Sequence, residues 1–153
     1  MTQPTARTSL LIERRFDVPP ETVFATLTVP DEMRIWWGED AEIYIDLRVG
    51  GKWTIIRQED GVKYLATGEY LGVERPTGLL YTFGMPQFSP ASDLITIRIE
   101  ADDGGSLLRF EHSGSDIAAE LRDLPPGETS PSEAGWQLGF DLMVEAWADQ
   151  KER

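Results

Sequence analysis

The 153-residue sequence contains no cysteine. Disulfides, thiolate nucleophiles and cysteine-ligated zinc or iron–sulfur centres are thereby excluded, and this agrees with a reducing compartment, the cytoplasm being the simplest expectation. Basic residues are scarce: 14 Lys and Arg stand against 27 Asp and Glu, a formal balance of −13 that makes a nucleic-acid phosphate backbone an unfavourable partner. No apolar run approaches the length of a membrane span. Residues 1–9 hold one basic residue and no apolar stretch, which does not match a signal peptide. Glu39, Asp40, Glu42 and Asp46 lack metal-ligand spacing and read as a solvated face, so neither metal nor cofactor is expected. Histidine is reduced to one residue, His112.

What is present is ordinary globular composition, 41% hydrophobic and 27% charged, with five tryptophans. A chain of this length buries roughly two-thirds of its unfolded surface, so residues 1–153 are expected to form one domain with its core at about 8–151.

The apolar periodicity orders the elements. In residues 8–18, Leu10, Ile12, Phe16 and Val18 share one parity, interrupted by Arg14, as in a strand with one buried face. Pro19-Pro20 stops it, and Val23, Phe24 and Leu27 then follow helical spacing behind a proline tolerated at a helix start. Pro30-Asp31-Glu32 opens a second short helix through Met33, Ile35, Trp36 and Trp37, ended by Gly38. From Ala41 the period becomes two. Ile43, Tyr44, Ile45 and Leu47 form a strand, Gly50-Gly51 a tight turn, and 52–58 the next strand. Turn signals at 59–61, 76–78 and 102–105 then delimit strands over 62–74, 79–85, 93–101 and 106–113.

Residues 114–130 lose the pattern and predict a surface loop with one helical turn around 117–121. Ser130-Pro131-Ser132-Glu133 fits a capping box with Ser130 as N-cap and Glu133 reaching back. On the helix it opens, Trp136, Phe140, Met143 and Trp147 fall at i, i+4, i+7 and i+11, one face that requires a large partner. The sheet is the only surface large enough. The prediction is an α+β fold of order β-α-α-β6-α, seven strands curving around the last helix.

Nearly the whole sequence resembles the helix-grip SRPBCC superfamily, which includes START lipid-binding domains and the birch pollen allergen. The segments RRFDVPPETVFATLT (14–28), DEMRIWWG (31–38), DLRVGGKW (46–53), GEYLGVERPTGLLYTF (68–83) and GW (135–136) are similar to the branch related to the heat-shock-chaperone ATPase activator. Asp46 to Trp53 carry the most specific string. The resemblance implies a cavity between sheet and C-terminal helix, roofed by the two short helices. It does not imply one activity, since members bind lipids, sterols or polyketides, cyclise or dehydrate polyketides, or stimulate a chaperone ATPase.

Trp36, Trp53, Trp136, Phe140 and Met143 are the set expected to face such a cavity, with Tyr81, Phe83 and Phe110 from the strands. Plain core packing is the alternative for each. His112 shares strand parity with Leu108 and Phe110 and could face the same space; as a general base it would need an orienting partner and a substrate proton. Arg14 and Arg98 interrupt or neighbour apolar strands and could meet a ligand carboxylate or phenolate, or pair with rim acids. Tyr64, Tyr70 and Tyr81 could offer hydroxyls. Asp46 and Arg48 are expected to fix the hairpin.

The leading expectation is a protein that holds a small hydrophobic or aromatic molecule. An enzyme of the cyclase or dehydratase kind, with His112 or Arg98 polarising a carbonyl, is the second. The third, a chaperone cofactor, has less support, because the eukaryotic activator carries an additional N-terminal domain. Homodimerisation is compatible with the sequence and is not encoded legibly in it.

Overall fold

The computed structural model describes residues 8–151. β1 (Ser9–Phe16) leads into α1 (Pro20–Thr28) and α2 (Pro30–Trp37). Each short helix has proline in its first turn, where the missing amide donor costs nothing. Strands β2 (Glu42–Ile45), β3 (Lys52–Glu59), β4 (Val62–Glu74), β5 (Gly78–Phe83), β6 (Asp93–Asp102) and β7 (Gly105–Ser113) follow, then α3 (Ser115–Arg122) and α4 (Pro131–Lys151).

The sheet order is β1-β7-β6-β5-β4-β3-β2, with every neighbouring pair antiparallel. Helices α1 and α2 carry the chain from one sheet edge to the other, and a six-stranded meander brings it back beside β1. Curvature has local causes on β4. The register slips between Tyr70 and Gly72 at a bulge. Gly68 pairs with Trp53, and a Cβ there would lie 1.8 Å from the Thr82 carbonyl oxygen. Only glycine permits this approach, which lets the Trp53 indole cross the strand and donate to that carbonyl at 3.2 Å.

The curved face grips α4 through Trp136, Phe140, Met143 and Trp147, all buried. Against them pack Leu10, Ile12 and Phe16 of β1, Ile95, Ile97 and Ile99 of β6, and Leu108 and Phe110 of β7. The rings interlock: Phe16 lies 5.2 Å from Trp147 and Phe110 lies 4.8 Å from Trp136. The Trp147 indole donates to Thr26 Oγ1 at 3.1 Å, tying the helix's far end to α1.

Three local expectations change. β2 stops at Ile45, and 46–51 form a wider connection than a tight Gly-Gly turn. The Arg48 amide donates to Asp46 O and the Gly51 amide to Arg48 O, while Gly50 and Gly51 dock on Tyr70 of β4. Residues 115–122 form a full eight-residue helix, α3, with Ile117 and Leu121 buried, in place of one turn. At the start of α4, Ser130 Oγ accepts the Glu133 amide at 3.1 Å as a capping box requires, but the next acceptor is Glu120 of α3, which takes the Ser132 amide at 3.0 Å and its hydroxyl at 2.9 Å.

Candidate functional site

The residues expected to line a cavity divide into four groups. Phe110, Phe140 and Met143 are packed among other core side chains, with Phe110 and Phe140 rings 5.7 Å apart in an edge-to-face pair. Trp53 and Tyr81, with Trp36 above them, enclose a remnant space of about 10 Å³ beneath α1 and α2, room for no more than a single water. Trp53 stacks on Phe83 at 6.0 Å and meets Tyr81 edge-on at 5.6 Å. The deep centre of the grip is filled by its own rings.

Trp36, Phe83, His112 and Trp136 do surround an open space. It is a cavity of about 250 Å³ between α2, the N-terminal half of α4 and the ends of β3 and β5. Its remaining walls are Trp37, Arg57, Met85, Ser132, Gly135 and Gly139. Gly135 leaves the helix flank open, and Gly139 lets Trp36 lie close against it. A Cβ at Gly135 would meet nothing within 4 Å, whereas one at Gly139 would press on Trp36 at 3.2 Å. The spacing of four residues puts both on the helix flank that faces α2. A smaller annex of about 120 Å³ shares Trp37, Arg57 and Met85 with the main cavity and adds Ile55, Glu59, Tyr64 and Ala66.

Arg98 does not belong here, which corrects the expectation that it meets a ligand. Ile95, Ile97 and Ile99 take the inward parity of β6, so Arg98 projects from the opposite face, exposed, and pairs with Glu74 at 3.1 Å. Arg14 is on the inward parity of β1 yet is engaged by α4, donating to Gln137 Oε1 at 2.8 Å and Asp141 Oδ1 at 3.0 Å. The inward cation missed in the sequence is Arg57. It shares parity with Trp53 and Ile55 at the end of β3, the one signal that could have found it. Trp37, beside the expected Trp36, was legible only as one half of a tryptophan pair. Burial pushes the phenols of Tyr70 and Tyr81 above the ordinary tyrosine value, with Tyr70 adding a smaller electrostatic contribution at Tyr81.

His112 is held at both ring nitrogens. The Trp136 indole can only donate, so its 3.1 Å contact requires a lone pair on His112 Nδ1. Nε2 therefore carries the proton and donates to Asp93 Oδ2 at 2.8 Å. The same carboxylate accepts the Asp116 and Ile117 amides at 3.1 and 3.0 Å, capping α3 from a distant strand. Gly114 makes this possible, with φ at 134° and a hypothetical Cβ only 2.1 Å from Asp93 Oδ1. With both nitrogens engaged, His112 offers a substrate neither a free lone pair nor an uncommitted proton. Its geometry is that of a strut. Among the described residues no cluster of three or more His, Asp or Glu could hold a metal ion, and no helix is long and apolar enough to cross a membrane.

A seven-stranded antiparallel sheet closed around a long C-terminal helix, with two short helices across the opening and a pocket beside them, defines the helix-grip fold of the SRPBCC superfamily. Within it the chain belongs to the family of activator of Hsp90 ATPase homolog 1-like proteins, whose model matches residues 17–147. Solved structures of the same fold include a Rhodobacter sphaeroides protein with 18% identity, covering 96% of this chain and 97% of its own, at a TM-score of 0.78. A Chromobacterium violaceum protein has 20% identity, covers 92% and 97%, and reaches 0.75. A Staphylococcus aureus protein has 21% identity, covers 95% and 96%, and reaches 0.74. At these identities the likeness is one of fold. No curated protein matches the chain in sequence.

Proposed function

We propose that the protein binds a small, mostly apolar aromatic molecule in the cavity between α2, α4 and the ends of β3 and β5. The observation that carries this reading is the cavity of about 250 Å³ walled by Trp36, Phe83, Met85 and Trp136 and opened by glycine on α4. Its size lies just below the range of about 300–1,000 Å³ usual for drug-sized ligands, which favours a compact one- or two-ring compound over a sterol or long lipid. The engagement of both His112 nitrogens favours binding over cyclase chemistry.

The test is thermal unfolding and tryptophan fluorescence with a panel of one- and two-ring aromatic compounds, run on the native protein and on Gly135→Leu. A ligand present at a hundred times its Kd stabilises the native state by about 2.7 kcal/mol. For a domain of this size that is a rise in Tm of roughly 5–11 °C. Gly135→Leu should fold at least as stably, because leucine favours helix more than glycine and the site is open, and should abolish the shift. Shifts of equal size in the variant, or none with any compound, would count against the reading.

A further inference from the structure

Inside this cavity the polar groups are nearly all committed. Trp36 donates its indole N–H to Thr26 O at 2.9 Å, Trp136 donates to His112, and Ser132 donates its hydroxyl to Glu120. Two groups are not. The Trp37 indole N–H is buried without an acceptor, the only such side-chain atom among the described residues. Arg57 has its ion pair with Glu59 at 3.8 Å, the longest in the described structure, with both side chains more than two-fifths exposed. A pair that long and that wet contributes little, so its guanidinium remains available. Trp37 and Arg57 are both walls of the cavity and of its annex, the annex also being lined by Glu59, the exposed partner of Arg57.

Both groups only donate, and one of them is a cation. An apolar ligand would leave the Trp37 N–H stranded, while a ligand with a donor would oppose it. A planar acceptor bearing negative charge satisfies both: one oxygen takes the indole N–H and the other the guanidinium. Resting on the pocket reading above, we infer that the ligand is an aromatic carboxylate, its ring system held among Trp36, Phe83 and Trp136 and its carboxylate between Trp37 Nε1 and Arg57. The chain's formal charge of −13 would disfavour an anion elsewhere on the surface, and Arg57 supplies the local exception.

The experiment compares 2-naphthoate with its near-isosteric neutral counterpart 2-methylnaphthalene, by calorimetric or fluorescence titration of the native protein, Trp37→Phe and Arg57→Gln. 2-Naphthoate is expected to bind at least about tenfold more tightly, and each substitution should remove most of that advantage while leaving 2-methylnaphthalene affinity within about twofold. Trp37→Phe retains the ring and Arg57 is a strand-end residue, so both variants should fold, which far-ultraviolet circular dichroism checks. Equal affinity for the two probes, or a naphthoate affinity that neither substitution moves, would overturn the carboxylate inference and leave the apolar pocket standing. Failure of both probes to bind would remove the inference and the pocket reading together.

Discussion

Removing the Asp93 carboxylate should cost more than any surface contact in this protein, because three buried or part-buried donors converge on it: His112 Nε2–H and the amides of Asp116 and Ile117. In Asp93→Ala, α3 loses its cap, worth about 0.5–2 kcal/mol. The His112 N–H is stranded beneath the sheet at a cost of about 1–3 kcal/mol. Together these predict a loss of about 1.5–5 kcal/mol, or a fall in Tm of roughly 3–20 °C in a domain of this length. Asp93→Asn should be nearly as harmful, although it is isosteric. Its amide oxygen can still accept on one side, but its NH₂ must then face donors on the other. The assay is equilibrium denaturation of Asp93→Ala, Asp93→Asn, His112→Leu and the Asp93→Ala/His112→Leu double variant. Residues in one hydrogen-bond network should show a coupling of about 0.5–3 kcal/mol. A stable Asp93→Asn protein, or additive losses in the cycle, would refute the description of this chain as a connected strut.

Two further outcomes are expected. Gly114→Ala should destabilise by more than the roughly 1–3 kcal/mol of a strained backbone alone, because the new Cβ collides with Asp93 Oδ1; Gly127→Ala, at φ 82° with open space around it, should show only the backbone cost. Comparing the two by chemical denaturation isolates the collision. Burial raises the phenol pKa of Tyr70 and Tyr81 above the ordinary 10.0, so the folded chain holds these protons more tightly than the unfolded chain. Their stabilisation is complete below about pH 10 and falls as the pH rises beyond it, which denaturation midpoints from pH 8 to 12 will record and Tyr81→Phe should lessen.

The chain itself determined the element types, their order and the faces they bury. Alternation in the strands and the 136, 140, 143, 147 spacing on α4 are local consequences of how side chains project from each backbone, so they can be read without a partner. The helix-grip arrangement followed, because only the sheet could cover so broad an aromatic helix face. Tertiary structure decided what is not local. α3 was underestimated because its cap is Asp93, more than twenty residues upstream, behind a glycine that gives no capping signal. The centre of the grip is closed because Trp53, Tyr81, Phe83, Phe110 and Trp136 pack on one another, and which rings fill space and which border it depends on three-dimensional fit. Arg98 and Arg57 are alike as sequence, each an arginine in an apolar strand. Parity turned Arg98 outward to Glu74, and the position of β3 beneath α2 brought Arg57 to the cavity beside Trp37. A strand's alternation says which residues share a side; only the packing of that strand against its neighbours says what lies on that side.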